Sequence, residues 1–403
     1  MARNLYRFVV AARSAFAFPE GTSLCYESDA PSDIEPVVRI GVSSVWWPVS
    51  DTSRLPMVLQ IEVDVWADAL DEVVQVADEI VIGFIDTLAV CLNAAIDTPQ
   101  TLAIFDVTPG HRERVMRQYA FEPQYRGLTP VRCEATEIFD PTLRAIYFTR
   151  VDAYKVGLAM AHYRAALGFF GASGLIFSFE FLCITAEILA ESFVKRELEA
   201  RSVPFSNKAV KALAKEYGHD PETLKNWRYR LYDEISVRDI FDGDGELFKT
   251  VGNASNGFEH GTMTADAIRS VALQTTPLLF RKLRSAFIKL ANIDLNLLST
   301  PGSWEPVGFD PVREFIDVTL TGPGETFESF GASPDQAPTL SVTYEYTSVT
   351  VNDGHLSVAR RVNVRPRVGE DVSVGSLIHT SMNPFNVTGT AKLVEPGDED
   401  EHD

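Results

Sequence analysis

Asn253-Ala254-Ser255-Asn256-Gly257-Phe258-Glu259-His260-Gly261 closes a long helical region and sets the frame for the rest of the chain. On a helix, positions four apart share a face, so the Asn256 amide and the His260 imidazole point to one side. Gly261 follows directly and reads as a stop signal, since glycine adopts the left-handed backbone that ends helices. Working outward, residues 141–300 read as almost wholly helical. Pro141 after Asp140 marks a first turn, and the helix runs through Tyr147, Val151, Tyr154 and Tyr163 to about Phe170. Gly171-Ala172-Ser173-Gly174 breaks it, and a second helix runs from Leu175 to about Arg201. Ser206 opens a third, ending near Gly218, and Asp220-Pro221-Glu222 opens a fourth. Asp242-Gly243-Asp244-Gly245 is a turn, and a fifth helix covers about 246–260. Thr264 caps a sixth whose far end carries Arg281, Lys282, Arg284 and Lys289. Short links between such helices predict an up-and-down bundle.

Both flanks change period. Residues 1–140 mix strand candidates at 4–12, 37–47, 57–65, 101–107, 115–121 and 129–138 with one amphipathic helix from Ala67 to about Asn93. This predicts an α+β unit, a sheet with a helix across one face. Residues 301–394 are rich in Val, Thr, Pro and Gly. Val342-Thr343-Tyr344-Glu345-Tyr346 alternates with period two, Asn352-Asp353-Gly354 gives a hairpin turn, and Leu356–Val364 returns. A small all-β domain follows, then an acidic tail from 395 to 403, with six carboxylates, read as disordered. The fold class is α+β multidomain in three parts.

The net charge of −20 is uneven. Residues 1–140 carry 10 basic against 21 acidic groups, residues 141–300 carry 20 against 18, and residues 301–403 carry 6 against 17. Only the central bundle has a field that does not repel nucleic acid, so any RNA contact is confined to it. The four cysteines are scattered, with no CxxC and no Cys/His cluster, which predicts a reduced cytoplasmic interior without a zinc site. No membrane span is expected. The apolar runs around 80–96 and 167–190 are interrupted by Asp86, Glu180 and Glu187, and Arg13 breaks the N-terminal apolar stretch.

Sequence motifs exclude several chemistries. There is no GxGxxG, P-loop, HExxH or GxSxG, so no cofactor or metal is expected. Asp242-Gly243-Asp244-Gly245 fails as a calcium loop, because positions six and twelve are Leu247 and Asn253. Glu180 and Glu187, seven apart on the most apolar helix, share a face. A buried carboxylate needs a partner, and one of them is placed to orient a histidine.

An amide, three mixed residues and then His-Gly at a helix end resembles the signature of HEPN-type domains, helical bundles found in toxins, defence nucleases and stress factors. Asn256 falls on the polar position, His260 on the histidine and Gly261 after it. Glu187 in Ala186-Glu187-Ile188-Leu189 occupies the recurring acidic position. The α+β region before the bundle resembles larger members, including the methylamine-utilisation protein J family. The resemblance covers roughly residues 145–292 and implies a dimerising bundle. Ser255 stands where the family carries Arg. A hydroxyl cannot replace a charged, bidentate guanidinium on phosphate, so the reading that leads is a non-catalytic accessory, assembly or sensor protein. It is expected to be a homodimer with a protein partner. The alternative is a metal-independent endoribonuclease with His260, Asn256 and Glu187 as catalytic residues and an arginine borrowed from Arg228, Arg230, Arg238 or Arg269.

Overall fold

The computed structural model describes residues 3–27, 37–48, 54–110, 115–118, 132–133, 152–171, 174–292, 306, 308 and five later strands. The expected domain boundaries near 140 and 300, the first turns of the helix opening at Pro141, and the acidic tail lie outside the described residues. The protein is mixed α/β, with seven helices among the described residues and an antiparallel sheet in its N-terminal part. Two compact units divide it. The first takes residues 1–45, 58–127 and 134–310, and the second takes 46–57, 128–133 and 311–403.

In the N-terminal part, β1 (Asn4–Ala12), β2 (Phe16–Ala17), β3 (Ser23–Glu27), β4 (Val37–Pro48), β5 (Arg54–Ala67), β6 (Gln100–Asp106) and β7 (Met116–Gln118) are strands. Six of them form a sheet in the order β3-β4-β5-β1-β6-β7. Along β5, Leu59, Ile61, Val63, Val65 and Ala67 are fully buried, while Gln60, Glu62 and Asp64 face the other way, the period-two pattern of a one-sided sheet. On that polar face Arg7 lies opposite Asp64 across β1 and β5 and grips it bidentately at 2.7 and 2.9 Å. The apolar face is covered by α1 (Leu70–Leu92), whose Val73, Ala77, Val81, Phe84, Ile85 and Leu88 recur at helical spacing and are buried. Asn93 ends it in the left-handed conformation, φ 49°, one of the few non-glycine residues that tolerate it.

The helical part begins with α2 (Ala153–Phe169) and α3 (Leu175–Ala200), a hairpin pinned where the Ser178 hydroxyl donates to Ala166 C=O at 2.8 Å. Next come α4 (Asn207–Glu216), capped by the Ser206 side chain, and α5 (Trp227–Ile235). Asp220-Pro221 does not start a helix. It closes single turns, with Leu224 N–H bonding Asp220 C=O at 2.9 Å, and helix resumes only at Trp227. The chain then winds as a π-turn over Ser236–Ile240. α6 (Gly245–Glu259), with Asp244 accepting from Leu247 N–H, and α7 (Ala265–Leu290), with Thr264 accepting from Ala267 N–H, complete the set. Each of these caps satisfies an otherwise orphaned N–H. α3 packs against α2, α5, α6 and α7, and α1 packs against α2 and α7.

In the second unit, β8 (Arg132–Cys133), β9 (Arg313–Thr321), β10 (Thr339–Asn352), β11 (His355–Arg367), β12 (Ser373–Met382) and β13 (Val387–Leu393) are strands. β10 and β11 form the hairpin that Asn352-Asp353-Gly354 signals, with Asn352 opposite His355 across a two-residue loop. β13 adds parallel to β11, and β9 pairs with β12.

Candidate functional site

The segment 253–261 ends α6 as its sequence suggests. His260 is the C-cap and Gly261 has φ 62°. Thr262 N–H bonds Gly257 C=O at 2.9 Å and Gly261 N–H bonds Phe258 C=O at 3.2 Å. These two bonds are a Schellman ending, and the positive φ is why glycine follows the histidine. Gly257 packs closely as well: a Cβ there would meet the Met263 side chain at 2.5 Å, so that side chain would have to shift.

Ser255 faces inward. It is buried, and its hydroxyl donates to Glu180 Oε2 on α3 at 2.9 Å. Glu180 is itself 8% exposed, and its Oε1 is buried without a hydrogen-bond partner. Burial first, and then the charges of Glu259 and Glu187, raise the Glu180 carboxyl against the opposing pull of the Ser255 hydrogen bond, to about 7 in all. Glu187 is exposed, yet partial desolvation and Glu259 also lift its carboxyl above the ordinary range. Buried Cys183 shares the pocket. Its thiol is held well above its usual value, first by burial and then by Glu180.

The three residues marked for chemistry are not joined by hydrogen bonds. His260 and Asn256 are exposed, and neither side chain makes a hydrogen bond or ion pair among the described residues. His260 is therefore no member of a buried network with Asn256 and Glu187. Glu180 orients a serine, not a histidine. Glu259 was missed in the sequence, although its place four residues after Ser255 put it on the same helix face.

Among the described residues, none of the candidate arginines makes a hydrogen bond or ion pair with Asn256, Glu187 or His260. Arg238 is held by Glu197, Tyr217 and Asp239 beside Gly243, at the start of α6. The 15 residues of α6 place His260 about 22 Å away along the axis. Arg228 lies over the Tyr232 ring at 5.5 Å, and Arg269 is exposed early in α7. Arg230 lines a separate cleft of about 530 Å³ with Asp233, Val237 and Arg238, where His219 Nε2 meets Glu234 Oε2 at 2.8 Å. Among the described residues, no group of three or more His, Cys, Asp or Glu is placed to hold a metal ion, and no helix is long and apolar enough to cross a membrane.

The carboxylate cluster carries a pH signature. The folded chain holds the Glu180 proton more tightly than the unfolded chain, so this group's stabilisation is complete below about 4.5 and is lost as pH rises through about 7. Glu180→Gln keeps an acceptor for Ser255 and removes the titration. Its stability relative to wild type should rise between pH 5 and pH 8 by about 1–2 kcal/mol, less than the full shift because its acidic neighbours sit at the solvent boundary. Thermal melts of both proteins across that range check this. A constant difference would show that Glu180 does not titrate there.

Compared with protein-family models, curated proteins and solved structures, the chain matches none.

Proposed function

We propose that this chain is a non-catalytic accessory, assembly or sensor protein of the cytoplasm, built on a HEPN-like helical bundle that dimerises. The observation that carries the reading is the surrounding of Ser255. Where the HEPN pattern places a guanidinium for phosphate, this chain has a hydroxyl committed to the buried Glu180, with Glu187 and Glu259 alongside. A phosphodiester approaching His260 meets charge of its own sign and no clamp. Such a clamp supplies several kcal/mol to phosphoryl chemistry. Unpaired Cys91 and Cys183, both buried, suit a reducing compartment.

Wild-type protein should therefore show no saturable binding of a fluorescent 20-nucleotide RNA below about 100 µM at 50 mM salt, weaker than ordinary non-specific binding. Glu187→Gln/Glu259→Gln should bind the same RNA measurably and lose it as salt rises. Micromolar, salt-sensitive binding by the wild type would overturn the reading. The endoribonuclease alternative draws on one observation, the solvent-facing imidazole of His260, which is open to a substrate.

A further inference from the structure

The cleft of about 530 Å³ beside α5 is built from four pieces of backbone, each locked by its own bonds. His219 follows the Gly218 that ends α4, and its N–H bonds Ala214 C=O at 2.8 Å. α5 supplies Arg230, Asp233 and Glu234. The π-turn supplies Val237 and Arg238, and it is closed by Phe241 N–H on Ser236 C=O at 3.0 Å. Gly243 comes last. It follows Asp242, so two left-handed residues stand in succession at φ 52° and 81°, and the Gly243 N–H bonds Val237 C=O at 2.7 Å. π-turns and left-handed residues other than glycine both concentrate at functional sites. Here they converge on one cleft, whose volume suits a small molecule.

We propose that this cleft binds a small zwitterion of the α-amino acid class, Arg230 taking its carboxylate and Asp233 its ammonium group. Such a ligand gives the sensor role its input, and its binding does not depend on Ser255. Arg230 and Asp233 stand three apart on α5, so they project from one face. Neither makes a hydrogen bond or ion pair with any described residue, including the other. They are nonetheless within electrostatic reach. Burial raises the Asp233 carboxyl, and Arg230 and then His219 draw it back. A guanidinium and a carboxylate held apart over one cleft are complementary to the two ends of a zwitterion, and the guanidinium fork fits a carboxylate bidentately. The other charged groups of the lining are already committed. Arg238 is held by Glu197, Tyr217 and Asp239, and His219 Nε2 meets Glu234 Oε2 at 2.8 Å. Charge balance narrows the class further. An isolated anion such as phosphate would face the Asp233 and Glu234 carboxylates, and an isolated cation would face Arg230 and Arg238. A zwitterion meets a partner at each end, and it adds no charge to a chain already at −20.

Ligand-observed NMR titrations of the full chain should show saturable binding of L-glutamine, L-leucine or L-phenylalanine with a Kd of about 0.1–1 mM, ordinary for so small a ligand. Each amino acid is compared with its N-acetyl derivative, which lacks the cation, and its amide, which lacks the carboxylate. Both should bind at least about 10-fold more weakly. Arg230 and Asp233 are exposed, so Arg230→Gln and Asp233→Asn should melt as wild type does, yet each should weaken amino-acid binding at least about 10-fold. Inorganic phosphate should not displace the amino acid, and displacement would make this a plain anion site and overturn the proposal. Absence of binding by all three amino acids at about 20 mM also overturns it. So does binding that survives both substitutions in folded protein, or that the N-acetyl and amide forms match. RNA cleavage by the wild type would instead sink the functional reading and leave amino-acid binding standing.

Discussion

Arg284→Ala is expected to cost about 3–5 kcal/mol of folding stability, read as a drop in the urea midpoint at unchanged slope. Arg284 is 1% exposed, deep in α7, and its guanidinium reaches across to α1. Nε donates to Val90 C=O at 3.1 Å and Nη2 to Cys91 C=O at 2.6 Å. Those carbonyls belong to the last turn of α1, which has no further N–H of its own to offer them. The cation also meets the negative end of that helix's dipole. Tyr163 on α2 reinforces the joint. Its hydroxyl donates to Asn93 Oδ1 at 2.7 Å, and its ring packs edge-on against Phe280 and Phe287. Truncation leaves two buried acceptors unpaired and a cavity the size of a guanidinium, and each costs on its own. Arg284→Lys keeps the charge but loses the fork, and should recover about half of the loss. A change under about 1 kcal/mol for the alanine variant would mean that water serves the end of α1 and that the joint is not what holds α7 to the sheet's helix.

Arg284 also shows where reading the sequence runs out. Arg281, Lys282, Arg284 and Lys289 look like one basic helix end. The fold separates them: Arg284 goes into the core, while Lys282 and Lys289 both bind Asp242 in the turn before α6. Nothing local distinguishes these fates, because the partners of Arg284 lie more than 190 residues away in the chain. Local physics, by contrast, was legible. The apolar period of α1, the caps at Ser206 and Thr264, the glycine that ends α6 and the pairing of β10 with β11 all act within a few residues. The π-turn at Ser236–Ile240 was not, since one extra residue in a helix leaves no trace in hydrophobic spacing. At the candidate site, Glu180 stood out as a carboxylate in an apolar run, which burial explains. Its partner did not, because a serine on another helix satisfies a carboxylate as well as a histidine does.

Cleavage of a mixed structured and single-stranded RNA pool in EDTA tests the central claim most directly. Wild type, His260→Ala and Ser255→Arg are compared at equal concentration. The expected result is no cleavage above buffer by wild type, and no difference between it and His260→Ala. On the proposed reading His260 has neither phosphate clamp nor attractive field, and so forgoes terms worth about 10²-fold or more each in rate. Ser255→Arg restores a guanidinium beside Asn256, but its charge falls to the buried Glu180, so this variant should stay inactive too. Robust wild-type cleavage abolished by His260→Ala would contradict the account and make the chain an endoribonuclease.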